Sequence, residues 1–263
     1  MLIGLHQFAA ALYLAAGVAG GVALAQRGGR ARQVALLLLS AGAVVHLASF
    51  AFLHQSVPTP QLTDLPTATS LMACLAMLFY LAFARRARWN ALVLAMAPVG
   101  FLGAFVGALR LPHAAGEGAL AAGAWSHAHV LLASAGLGLL ALASVAGVAF
   151  LREASRLKYK GRPQLSQLPA LETLDRVNLV ALSVGFPLLT LGMLTGMFWL
   201  QGEAGHVWSG SPHEIWMTLA WAIYGALLLA RFAAHQSARN AALSAIGGFA
   251  FLLFAVIGIG LTA

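Results

Sequence analysis

Eight uninterrupted apolar stretches of roughly 20 residues, each long enough to cross a bilayer's hydrocarbon as a helix, dominate this chain at about 4–25, 33–53, 66–84, 89–110, 127–151, 177–200, 212–233 and 241–262. In hydrocarbon every backbone N–H and C=O must be paired internally, so stretches of this length fold as helices. The expectation is an all-α, polytopic integral membrane bundle of about eight transmembrane helices, forming a single domain over 1–263. Composition agrees, since 61% of the 263 residues are hydrophobic and only 8% are charged, a balance foreign to a water-soluble domain of this size. The connecting segments are too short for a soluble domain. Any chemistry must therefore sit in the bundle or on its loops.

The formal charge of +8 is a topology signal and not a nucleic-acid footprint. Arg27, Arg30 and Arg32 follow the first span, and Arg85, Arg86 and Arg88 follow the third. Six basic residues from Arg152 to Arg176 follow the fifth, and Arg231 and Arg239 follow the seventh. Only Arg110 lies at the opposite ends. The positive-inside rule makes the basic side cytoplasmic and puts both termini outside, in a multi-pass protein of the cytoplasmic (inner) membrane. The first span lacks a basic n-region and a small-residue cleavage site, and is expected to be retained. The stretch Arg152 to Arg162 reads as a solvated cytoplasmic loop beside anionic lipid.

On this topology the histidines segregate. His6, His46, His54, His113, His127, His129, His206 and His213 belong to the outer half, and only His235 to the inner. Trp125, Trp199, Trp208, Trp216 and Trp221 also lie outward, whereas an aromatic belt would populate both interfaces. Imidazoles beside large flat rings suit a planar, partly apolar, metal-bearing ligand, and the pattern points to an outward-facing metal or heme site. His46 stands well inside the hydrocarbon, where an ionisable side chain is a functional candidate by default; a core histidine bonded to a neighbouring carbonyl is the competing reading. Trp125 and His129, four apart, share a helix face. Ser211, Pro212 and Glu214 spell a helix start with a capping box, whose backbone N–H groups would receive an anionic group of the ligand. Glycine pairs at 17/21, 103/107 and 192/196 read as close-packing faces. The single Cys74 excludes an internal disulfide, a Cys-x-x-Cys relay and covalent heme attachment through Cys-x-x-Cys-His.

These residues also resemble a known family. Trp125-Ser126-His127-Ala128-His129-Val130, the run Gly185 to Gly192 followed by Thr195-Gly196, and Trp199, Gly205, Trp208, Ser209, Pro212, Glu214 and Trp216 are similar in type and spacing to the cytochrome c assembly family, the CcsA and HemX-like heme-handling membrane proteins. His6 with Leu12-Tyr13 resembles the HemX-like first span. The resemblance implies heme b held non-covalently on the extracytoplasmic side. The residues it implies for heme binding are His129, His6, His46, His213, His206, Trp125, Trp199, Trp208 and Trp216, with His129 and His6 on the iron. The implied partners, besides lipid, are other assembly proteins or an apocytochrome. Gly210 and Ser211 stand where the family has Trp and Asp, His213 where it has Lys, and Leu229 and the region of Thr262 lack its histidines. These departures favour heme binding or transfer over heme attachment. A cytochrome b-type electron-transfer subunit and a transition-metal transporter are the alternatives; the second is weakened by the lack of a carboxylate in the middle of any span.

Overall fold

The computed structural model describes residues 2–26, 29–55, 62–84, 92–110, 123–160 and 168–255. Arg27, Arg85, Arg86, Arg88, His113, Arg162 and Thr262, which figure in the sequence reading, lie outside them. The described residues form eight helices and no strand: α1 (Leu2–Gln26), α2 (Gly29–His54), α3 (Leu65–Ala84), α4 (Val93–Arg110), α5 (Ala124–Lys160), α6 (Leu171–Ala204), α7 (Pro212–Ala233) and α8 (Ala238–Leu253). Six are long and apolar enough to cross a membrane; α4 and α8 are apolar but shorter over their described lengths. The protein is thus the polytopic helical membrane protein its hydropathy announces.

Two helices overrun their apolar stretches. The basic segment expected as a loop after residue 151 is helical as far as Lys160, because Leu-Arg-Glu-Ala-Ser-Arg-Leu-Lys is made of good helix formers whose charges are no obstacle outside hydrocarbon. At its far end α6 runs on to Ala204 and stops at Gly205, whose φ of 75° closes a left-handed cap with its N–H bonded to Gln201 O. Trp199 lies within this helix, as a span reaching residue 200 implies, and the loop that follows is 205–211.

The helices group into two compact units, α1–α4 and α5–α8. In the first, Tyr13 is fully buried because Gly42 and Gly100 leave room for its ring; an alanine methyl at either would lie 3.0 Å from it. The α1 packing face is one residue off the expected pair. Gly17 and Gly20 meet Ala97 and Leu94 of α4, while Gly21 faces open space. Gly103 and Gly107 on α4 do form a contact face, toward Ala73 and Ser70 of α3.

In the second unit α5 and α6 run antiparallel with their backbones nearly touching. Gly136 lies against Leu189 and Gly185, Gly192 against Ala133, and Asn178 Nδ2 donates to Ala143 O across 2.9 Å. Apolar burial gives little drive between helices in lipid, so this close approach through small residues and interhelical hydrogen bonds holds the pair. Helix α7 is tied to α6 at two levels. Trp221 stacks on Phe186 and donates to Thr190 Oγ1 at 2.9 Å, and Arg231 grips both Asp175 oxygens at 2.8 and 2.7 Å while donating to Gln236 O.

Candidate ligand site

His129 is the imidazole that this architecture presents best. Its Nδ1 lies 2.8 Å from Gly192 O of α6. A carbonyl only accepts, so Nδ1 carries the proton and Nε2 keeps the lone pair that a metal needs. Fixing the tautomer through a backbone carbonyl in this way is the usual outer-shell support of a ligating histidine. Gly196, one turn on, has no side chain because the ring occupies that space: an alanine methyl there would lie 2.7 Å from His129 Nδ1. One further helical step brings Trp199 against the same imidazole, with centroids 6.1 Å apart and planes at 23°. The glycine pair 192/196 therefore does more than bring helices together; it makes the histidine's seat. Sequence spacing alone signals only the packing half of that role.

Around this seat the tryptophans divide. Trp125 shares the His129 face, is 52% exposed, and pairs with Phe198 at 5.2 Å. Trp208 stands half-exposed in the loop. Trp199 Nε1 is buried without a partner among the described residues. Trp216 packs instead on Phe251 and Phe254 at 5.8 and 5.7 Å, steadying α7 against α8. His206 is exposed in the loop. His213, at the second position of α7, is exposed.

The α7 start is built as expected in one respect and not in another. Ser211 is the N-cap, its Oγ accepting from Glu214 N at 3.3 Å, and Pro212 opens the helix. Glu214, however, reaches past the cap. Its Oε2 accepts from Ser209 N and Gly210 N at 2.8 and 2.9 Å, and Oε1 from Ser209 Oγ at 2.7 Å. The N–H of Ser211 goes to Ser209 Oγ. The carboxylate thus bonds loop amides ahead of the cap, while in the first turn Glu214 N goes to Ser211 Oγ and Ile215 N to Ser211 O.

His6 and His46 are brought together in the first unit. Both are fully buried, with ring centroids 5.2 Å apart and planes at 78°. His6 Nδ1 donates to Leu2 O at 3.4 Å and its Nε2 lies 3.4 Å from Ser49 Oγ. His46 meets Tyr13 OH at 3.4 Å and Ser70 Oγ at 2.9 Å. All four ring nitrogens thus have partners within the unit. Among the described residues no three metal-binding side chains converge, so the described histidines form small sets and not one large cluster.

The profile of the family described as Cytochrome C assembly protein matches residues 34–263. Three relatives carrying the name cytochrome c biogenesis protein CcsA align with part of the chain. That of Prochlorococcus marinus (strain MIT 9303) is 38% identical over 90 residues, covering 34% of this chain and 28% of the relative. That of Thermosynechococcus vestitus is 35% identical over 97 residues, 37% and 30% of the two chains. That of Microcystis aeruginosa is 34% identical over 95 residues, 36% and 29%. The matched region is thus less than a third of the length of these relatives.

Proposed function

The chain belongs to the cytochrome c assembly family, and from that premise we propose that it is a heme-handling protein of cytochrome c biogenesis that holds heme b non-covalently at His129. The observation that carries this reading is the 2.8 Å bond from His129 Nδ1 to Gly192 O, which leaves Nε2 as a free lone pair in a ring steadied by Trp199. A protonated Nδ1, an apolar aromatic surround and a half-buried position suit heme iron. His213, exposed at the second position of α7, would offer the iron a further imidazole. Trp125, Trp199 and Trp208 supply flat surface for the macrocycle, and His206 stands on the exposed loop beside them. Heme is the cargo here. The chain's own part is to orient an imidazole, exclude water with indole rings and release the macrocycle to an acceptor, an apocytochrome or another assembly protein.

His6 and His46 form a second place where iron would find two imidazoles from different helices, 5.2 Å apart by centroid. Ligation there requires exchanging hydrogen bonds to Ser49, Ser70 and Tyr13, so His129 is the site of first choice.

An absorption spectrum of the purified protein, with pyridine-hemochrome and metal analysis, tests the reading directly. Stoichiometric heme b that passes to apomyoglobin supports it. Heme retained indefinitely indicates an electron-transfer subunit, and zinc or copper without heme indicates a transporter.

The proposed sidedness has its own test. The lone native thiol, Cys74, is buried and silent to polar reagents. In intact cells a Gly202→Cys variant should react with an impermeant maleimide, and an Ala234→Cys variant only after permeabilisation. The opposite pattern would put the His129 end of the bundle in the cytoplasm.

A further inference from the structure

The loop between α6 and α7 has no regular structure, is exposed from Gly205 to Gly210, and yet carries Trp208 beside the helix that bears His213. Free loops of this kind do not hold an indole in one place; something has to fix this one. The hydrogen bonds converge on one side chain. The Glu214 carboxylate accepts from Ser209 N, Gly210 N and Ser209 Oγ, all within 2.9 Å, while Ser209 Oγ in turn accepts from Ser211 N and Ser211 Oγ from Glu214 N. Gly210 completes the turn at φ 72°, a backbone conformation that costs glycine nothing. A Cβ there would lie 3.8 Å from Trp208 Nε1, so the clipped turn lies directly against the indole. Hydrogen bonds to an ionised acceptor are about twice as strong as neutral ones, and three on one carboxylate leave the segment from Trp208 to Ser211 little freedom.

We propose that Glu214 is the positioning residue of this loop, clipping the segment after Trp208 to the start of α7 so that Trp208 and His213 are presented to the ligand together. The proposal rests on the heme reading for the identity of that ligand, though the clip itself does not. It also gives the carboxylate a task that a helix cap does not need, since Ser211 already caps α7. Glu214 touches no ligand in this scheme; it acts through Trp208.

The test uses the full-length protein in detergent with Glu214→Ala and Glu214→Gln, both at a loop-side position whose loss leaves the helices packed. Two quantities are read: hydrogen exchange at the Ser209 and Gly210 amides without heme, and the rate of heme loss to apomyoglobin. In Glu214→Ala both should rise about tenfold, the equivalent of one charge-assisted hydrogen bond, with the low-spin spectrum retained because His129 is untouched. Glu214→Gln, which keeps one acceptor oxygen, should recover part of each. Unchanged amide exchange in Glu214→Ala overturns the clip. Faster exchange with unchanged heme loss overturns the positioning role. A wild-type protein that binds no heme defeats the heme reading instead, and the exchange result still decides the clip.

Discussion

A His129→Ala protein should lose the low-spin Soret and visible bands of the wild type, and millimolar imidazole should restore them. Of the imidazoles in the described structure, His129 alone combines a tautomer set by a single backbone carbonyl with an indole stacked on its ring. Removing it deletes the proposed iron ligand but leaves the aromatic surround and the 192/196 gap intact, and the gap then has the size and the carbonyl acceptor to take free imidazole. Because one axial bond separates low-spin from high-spin iron, the change is all-or-none and needs no fine calibration. His6→Ala and His46→Ala are the contrast. Each removes a fully buried ring together with its bonds to neighbouring hydroxyls, so the expected result is lost stability of the first unit, by about 2–4 kcal/mol for cavity and lost hydrogen bonds together, with the His129 spectrum kept. A wild-type spectrum in His129→Ala that vanishes in His46→Ala would move the heme to the buried pair His6 and His46.

The parts of this structure that hydropathy expresses were legible, and the parts that depend on who meets whom were not. Lipid forces internal backbone pairing, which is why the eight helices could be placed from apolar runs alone. Their ends could not. Nothing in an apolar count marks where α5 stops once it leaves the hydrocarbon, so Arg152 to Lys160 read as loop, and the same blindness ended α6 near residue 200, short of Ala204. Local chemistry was readable where it involves neighbours in sequence: Ser211 and Pro212 start α7 as their types demand. Glu214 defeated the same logic by bonding five residues back, beyond the span of a capping box. Glycines at 17 and 21 share one helix face, but whether that face meets a partner depends on the crossing of α1 and α4, which selects Gly20 over Gly21. The buried His46 was conspicuous as an ionisable group at depth, yet its partners Tyr13 and Ser70 come from other helices. The Arg231–Asp175 pair, 56 residues apart, left no trace in sequence beyond two charges at helix ends.

The second large effect is expected at Gly192, where stability and chemistry meet. A methyl added there would lie 2.7 Å from Ala133 N and 2.9 Å from its Cα, and both belong to backbone, which cannot rotate away as a side chain end would. The helices must separate, with a cost of about 1–3 kcal/mol from overpacking. Separation acts on the same residue's carbonyl, which holds His129 Nδ1 at 2.8 Å, so a shift of several tenths of an ångström weakens the bond that sets the imidazole. Gly192→Ala should therefore lower the thermal midpoint in detergent and heme occupancy together. Gly247→Ala is the matched control: it adds the same methyl to a helix with nothing within 4 Å, and since glycine in a helix interior is less favourable than alanine by about 0.5–1 kcal/mol, it should hold or raise the midpoint with occupancy unchanged. The coupling discriminates between two accounts of the glycine. If Gly192 serves packing alone, the midpoint falls while the heme that remains bound keeps its wild-type spectrum and off-rate; if it also seats His129, the off-rate rises in step with the loss of stability. A Gly192→Ala protein as stable and as heme-loaded as the wild type would show that α5 and α6 do not approach as closely as 2.7 Å implies, and would remove the seat on which His129 depends.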